Sequence, residues 1–187
     1  MISDAHRRLR DATRPEHDRL ERRVDILTRI SEPMARRALV EGFYSLHRDL
    51  EAALAPWLSG APGLDFAGRS RMALLKADLE GLGGRPPGPE SVAVAGDREA
   101  LGLLYVLEGS TLGGQVIRRE ARRIGAPMEH LSFLDPYGAE VGPRWRAFLA
   151  VVDAHTRSES DLQTVIRGAR RGFALAEARL CAERALG

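Results

Sequence analysis

Apolar residues recur along most of this chain in steps of three and four. From Leu39 they run Leu39, Phe43, Leu46, Leu50, Ala53 and Trp57, which places them on one face of a helix. Met72, Leu75, Leu79 and Leu82 repeat the pattern, and Ile166, Ala169, Phe173, Ala176 and Leu180 do so again near the end. Strand-like alternation is scarce; the short "SVAVAG" is flanked by proline and glycine and reads as loop. The connectors "SGAPGLDFAG", "GLGGRPPGPESVAVAG" and "GAPMEHLSFLDPYGAEVGP" are rich in turn formers. The spacing predicts helices over roughly 13–29, 32–57, 66–80, 97–124, 142–156 and 160–185, after a short helical lead-in at 3–12. The expected architecture is one all-α domain spanning residues 1–187, without internal repeats.

The segment "TRPEH" reads as a capping box, with Thr13 as N-cap and Glu16 three residues on. Pro15 then falls in the first turn, where its missing N–H costs little. That places His17 at the start of a helix whose apolar face continues through Leu20, Val24 and Leu27. A histidine at the edge of an apolar stripe is more often a packed side chain than a ligand.

Composition narrows the function classes. Lys+Arg number 28 against 26 Asp+Glu, and Lys76 is the only lysine. So even a balance implies no nucleic-acid partner. One cysteine, Cys181, excludes a disulfide framework and any CxxC metal or redox site. The N-terminal "MISDAHRRLRD" is charged from the outset and lacks a signal-peptide apolar core. No uninterrupted apolar run is long enough for a membrane span. A cytoplasmic protein is expected.

Several familiar chemistries find no support. None of His6, His17, His47, His130 and His155 has glutamate three residues before it, as a di-iron carboxylate bundle requires. No two histidines stand four apart, which disfavours a helical zinc site. Neither phosphate-binding glycine motif occurs. "GSTLG" carries its serine one place too early for a nucleophile elbow, so Ser110 by itself suggests only a hydroxyl that bends or caps a helix.

The unusual segment is "YVLEGSTLGGQVI", Tyr105 to Ile117. It holds Gly109, Gly113 and Gly114, with Gly102 just upstream. Each glycine inside a helix costs about 1 kcal/mol relative to alanine. Either two helices approach closely there, or a large flat ligand lies against the backbone. The nearly uncharged surroundings, interrupted by Glu108 and Gln115, suit an apolar planar cofactor.

"LRDATRPEH" at Leu9–His17, together with "LYVLEGSTLGGQVI" at Leu104–Ile117, resembles the haem oxygenases. Leu9, Arg10, Thr13 and His17 match that family's N-terminal pattern; Gly109, Gly113, Gly114 and Gln115 match its distal-helix pattern. The resemblance implies an all-α fold in which haem lies between a proximal helix and a kinked, glycine-rich distal helix. It implies His17 as the iron ligand, with Gly109, Gly113 and Gly114 at the distal face and Phe173 on the last helix lining the site. Arg10 and Arg146 would pair with the haem propionates. Ser110 stands where many members carry aspartate, and so takes the place of the group that orders distal water. "EGS" here resembles a bacterial branch that includes suppliers of biliverdin to bacteriophytochromes.

The implied reaction uses haem as both cofactor and substrate, with molecular oxygen as co-substrate. It yields biliverdin, carbon monoxide and ferrous iron, for iron acquisition or bilin supply. Electrons would come from a ferredoxin or a flavin reductase. Two alternatives remain at this level: a non-catalytic haem carrier or sensor on the same scaffold, and a related all-α fold that acts on thiamine-type substrates or serves as an interaction domain.

Overall fold

The computed structural model describes residues 3–181. Seven α-helices follow one another: α1 (Asp4–Val24), α2 (Ile26–Ser31), α3 (Pro33–Leu58), α4 (Met72–Gly81), α5 (Asp97–Ile124), α6 (Val141–His155) and α7 (Glu159–Leu180). Short 3-10 turns occupy 67–69, 132–134 and 138–140. No strand occurs among the described residues, and "SVAVAG" is loop as expected. The predicted tail of the last helix, 182–185, lies outside the described residues.

Local chemistry sets most of the boundaries. The Ser3 side chain caps α1 by accepting from the His6 amide. Asp25, at φ 42°, turns the chain out of α1, and Pro33 opens α3 at its first position. Gly125 adopts the left-handed conformation that ends α5. A true capping box begins α7: the Ser158 hydroxyl accepts from the Asp161 amide, and the Asp161 carboxylate accepts from the Ser158 amide.

The expected capping box at Thr13 does not form. Residues 4–12 and 13–24 are one continuous helix, and Thr13 is a buried mid-helix residue whose hydroxyl donates to the Leu9 carbonyl at 2.9 Å. Pro15 sits inside this helix. Ser3 supplies an earlier cap, and burial of Leu9 favours helix through the intervening turn. His17 therefore lies in the middle of α1. The predicted face of α3 also drifts at its end: Leu54 and Leu58 are buried, while Trp57 is exposed. Four-residue steps from Leu50 follow the core there, where the sequence suggested a step of three.

α5 and α7 form the centre of the bundle. Their backbones meet at Gly102 and Gly168; a Cβ on Gly102 would overlap the Val165 carbonyl, and one on Gly168 the Glu99 carbonyl. α1 packs on α7 and α6, whereas α3 packs on α2, α4, α5 and α7. The buried apolar residues form one continuous cluster, with Leu9, Leu50, Leu101, Phe133 and Phe148 at its heart. α5 is long and apolar enough to cross a membrane by composition alone. Its packing accounts for that hydropathy, because Ala100–Glu108 is buried throughout.

Candidate functional site

The glycines of α5 divide by what surrounds them. Gly102 is a packing glycine against α7. Gly114 is another: a Cβ there would overlap the Leu134 carbonyl in the connector before α6. A Cβ on Gly113 would meet nothing within 4 Å, and one on Gly109 would meet only Trp145 Cη2 at 3.9 Å. Gly109 and Gly113 stand one turn apart, so one strip of α5 backbone is bare of side chains. Leu112, 37% exposed, and Val116, 54% exposed, lie along it. Close helix packing thus accounts for Gly102 and Gly114, and leaves Gly109 and Gly113 without a packing partner on that face. At Gly114, expected from the sequence to contact a ligand, the face where a Cβ would stand is filled by Leu134.

α1 presents His6, Arg10, Thr13 and His17 at helical spacing. Tyr105 on α5 faces Thr13, and its ring stands 6.5 Å from His6. α1 and α5 meet chiefly through such side chains, because α7 and α6 take up their backbone packing. His17 is half-exposed, with a side-chain exposure of 53%, and its ring meets buried Phe173 edge-on at 5.9 Å. Asp18 and Glu21 stand 3.5 and 3.7 Å from its two ring nitrogens, beyond good hydrogen-bond distance. Neither ring nitrogen is held by a hydrogen bond, so the imidazole has a nitrogen to offer a metal, with a carboxylate near each. Arg10 is exposed and pairs with its neighbour Asp11 at 2.9 Å. Arg146, on α6, is exposed and makes no hydrogen bond or ion pair among the described residues.

Ser110 follows Gly109 directly and is anchored to its own helix and to Arg71. Its hydroxyl donates to the Leu107 carbonyl at 2.7 Å and accepts from Arg71 Nη1 at 3.0 Å. Arg71 is only 2% exposed and also donates to the Leu107 carbonyl. Behind it lies a polar group that the sequence did not announce. Glu51 accepts from His47 Nδ1 at 2.9 Å, from the Arg71 amide at 3.1 Å and from the Ser70 hydroxyl at 2.5 Å. Glu108 accepts from Arg69 and from the Tyr137 hydroxyl, the latter at 2.8 Å. A cavity of about 50 Å³, lined by His47, Glu51, Ser70, Arg71 and Glu108 among others, lies between these groups. It has room for ordered water.

The charges here are set by burial and partners. Burial lowers the Arg71 pKa, while Glu108, Tyr137 and Glu51 oppose it. Burial pushes Glu51 upward, but hydrogen bonds from His47, Ser70 and the Arg71 amide outweigh it and hold the carboxyl below its ordinary range. Burial and then the Glu108 carboxylate raise Tyr137, which stays a phenol and a donor. His47 is lowered to about 4, chiefly by burial, against the pull of Glu51. With Nδ1–H given to Glu51, the Nε2 of this neutral ring is a buried acceptor without a protein partner.

A pH dependence of stability follows. The unfolded chain protonates His47 from about 6.5, but the folded chain resists protonation until about 4. Between those values the unfolded state binds more protons, so stability falls as pH falls. Each pH unit in this window costs about 1.4 kcal/mol. Urea unfolding at pH 7 and pH 5 should therefore show a loss about 2 kcal/mol larger in the unmodified chain than in His47→Gln. Equal losses would show that His47 titrates normally.

The sequence pointed to His17 and to the glycines, but not to His47, Glu51, Arg69, Arg71 or Tyr137. One signal was available. Glu108 sits within the apolar run "LLYVLEGS", and a carboxylate buried there requires a cationic partner.

Comparison with known proteins identifies relatives of this chain. The "Heme oxygenase" family model matches residues 3–180. A "Heme oxygenase" of Xanthomonas campestris pv. campestris is 34% identical over 71% of this chain and 81% of its own length. "Heme oxygenase PigA" of Pseudomonas aeruginosa is also 34% identical, over 89% of this chain and 86% of its own. Two solved structures share the fold. The NO- and CO-bound heme oxygenase of Neisseria meningitidis superposes with a TM-score of 0.77 at 24% identity, covering 96% of this chain and 91% of that one. The heme oxygenase of Leptospira interrogans gives 0.78 at 18%, covering 96% and 99%. With a family match spanning nearly every described residue, and relatives similar along most of their length, the chain belongs to the haem oxygenase family.

Proposed function

We propose that haem lies on the bare strip of α5, with His17 as the protein ligand to its iron. The chain's activity is that of its family, oxidative cleavage of haem to biliverdin, carbon monoxide and ferrous iron. The observation that carries the seating is the contrast along α5: Gly114 faces packed backbone, whereas Gly113 faces nothing. A flat apolar ring fits a strip without side chains, flanked by exposed Leu112 and Val116.

Bound haem supplies the iron at which molecular oxygen is activated and the ring that is opened. The chain's own groups orient and protect it. His17 offers a ring nitrogen to the iron, with Phe173 limiting its tilt. Gly109 and Gly113 let the backbone come against the ring face. Arg10 and Arg146 pair with the two propionates; Arg146 is free to do so, and Arg10 gives up only an exposed contact with Asp11. Ser110 has its proton committed to Leu107, one lone pair to Arg71 and one left over. That remaining lone pair holds water beside the strip. Arg71 fixes the hydroxyl, and the polar cavity behind it keeps further water within reach.

Reducing equivalents come from a ferredoxin or flavin reductase in the cytoplasm, and exposed Arg122, without an ion pair among the described residues, favours an acidic donor surface. The biliverdin goes to a bilin-binding photoreceptor of the bacteriophytochrome type, or is the by-product of iron release. Haem added under reducing, aerobic conditions should lose its Soret band and give a bilin spectrum; a Soret band that persists would leave a haem-binding protein without turnover.

Ser110→Ala tests the distal assignment. Haem affinity should be unchanged and single-turnover ring opening should slow about fivefold, the effect of one lost neutral hydrogen bond felt in the transition state. An unchanged rate and product isomer would reduce Ser110 to a partner of its own helix. Ser110→Asp should permit turnover, because Arg71 stands ready to pair with the new carboxylate.

A further inference from the structure

The bare strip of α5 ends at an aromatic corner. Trp145 of α6 is the side chain nearest the missing Cβ of Gly109, at 3.9 Å. It does not stand alone: its ring lies 5.6 Å from Tyr105, 5.7 Å from His6 and 5.5 Å from Phe148. Tyr105 and Phe148 are buried, so Trp145 is backed on two sides by fixed rings. The N-terminus of α1 is tied to α6 through the Ser3 hydroxyl and Asp153, at 2.7 Å, which holds His6 in the corner. His6 is kept uncharged there, first by burial and then by the charge of Arg10. Toward the other end, at Gly113, nothing blocks the strip.

We infer that Trp145 is a specificity-determining residue: it is the stop against which one edge of haem rests, and so decides which meso carbon lies beside Ser110. This rests on the seating of haem proposed above. With its iron held by His17, a planar ring on a flat, glycine-lined strip can still turn about the iron–nitrogen bond, because dispersion contacts with bare backbone change slowly as it rotates. A rigid aromatic wall at one end removes that freedom. The edge it meets is the carboxylate-bearing one, since Arg10 stands one turn from His6 on α1 and Arg146 follows Trp145 on α6. Two flexible arginines hold the carboxylates but tolerate displacement. The wall sets how far the ring turns before its edge meets Trp145 beside Gly109.

The test uses the full chain with ferric haem. Proton spectra of its cyanide complex resolve each seating of the ring as a separate set of haem-methyl resonances, independently of turnover. Trp145→Ala should retain haem and raise the minor seating about fivefold, as expected for loss of one aromatic contact. The biliverdin isomers released on turnover should shift in the same proportion. His6→Ala, which removes the support behind Trp145, should move both readouts the same way by less. Trp145→Leu keeps apolar filling against Phe148 but not the flat wall, and decides the matter if the alanine variant loses its helical circular dichroism. Seating and isomer ratios equal to those of the unmodified chain, in whichever variant is folded, overturn the role of Trp145. Failure of the unmodified chain to bind ferric haem would instead overturn the seating itself, and this inference with it.

Discussion

Replacing His17 by alanine should abolish the histidine-ligated haem spectrum and leave the fold nearly untouched. The two halves of this expectation have separate causes. His17 is half-exposed, touches Phe173 only edge-on and lies beyond good hydrogen-bond distance from Asp18 and Glu21. Its removal opens no core cavity and strands no buried partner, so unfolding free energy should change by no more than about 0.5 kcal/mol. Haem can still lie on the apolar strip, but without a strong axial donor from α1. Added imidazole should restore a nitrogen-ligated spectrum. The resonance Raman Fe–His stretch of the ferrous complex is the measurement to make; its survival in His17→Ala would assign the iron to another histidine.

Gly113→Leu and Gly114→Ala should fail in opposite ways. At Gly113 a side chain enters open space, and replacing a helical glycine should even stabilise the chain by a few tenths to about 1 kcal/mol. The same leucine stands where the ring should lie, so ferric-haem affinity should fall at least about tenfold, the equivalent of one modest steric conflict. At Gly114 a single methyl meets the Leu134 carbonyl, which is held within the 132–134 turn. That turn is pinned in turn by Asp78, which accepts from the Ser132 hydroxyl and the Phe133 amide. The substitution should cost about 3 kcal/mol of stability. Thermal unfolding and haem titration of the two variants separate the roles. A destabilised Gly113→Leu with normal haem affinity would make Gly113 a packing residue as well.

Each helical face was legible wherever a run of apolar residues kept a single period. Ile166, Ala169, Phe173, Ala176 and Leu180 are all buried as their spacing predicts. The start of α1 departs from the local pattern: "TRPEH" satisfies the rule for a cap, but the fold supplies a stronger one at Ser3 and buries Thr13. Local rules rank the possible starts of a helix, but tertiary burial chooses among them. The real capping box at Ser158–Asp161 carries aspartate where glutamate or glutamine is usual, and so escaped notice.

The sequence by itself determined the all-α class, the family and the two segments that carry its motifs, because periodicity and motif spacing are properties of one strand of chain. It also flagged the cost of the glycines, since a helix propensity is local. What each glycine is for was decided only by tertiary structure: Gly113 and Gly114 are adjacent in sequence and equally permissive, yet one faces open space and its neighbour faces Leu134. The same holds for Arg71, Glu51 and His47, which resemble ordinary helix-surface residues until α3, α4 and α5 gather them around one cavity. A buried charge is defined by what other elements bring to it, and that information is spread over residues far apart in the chain.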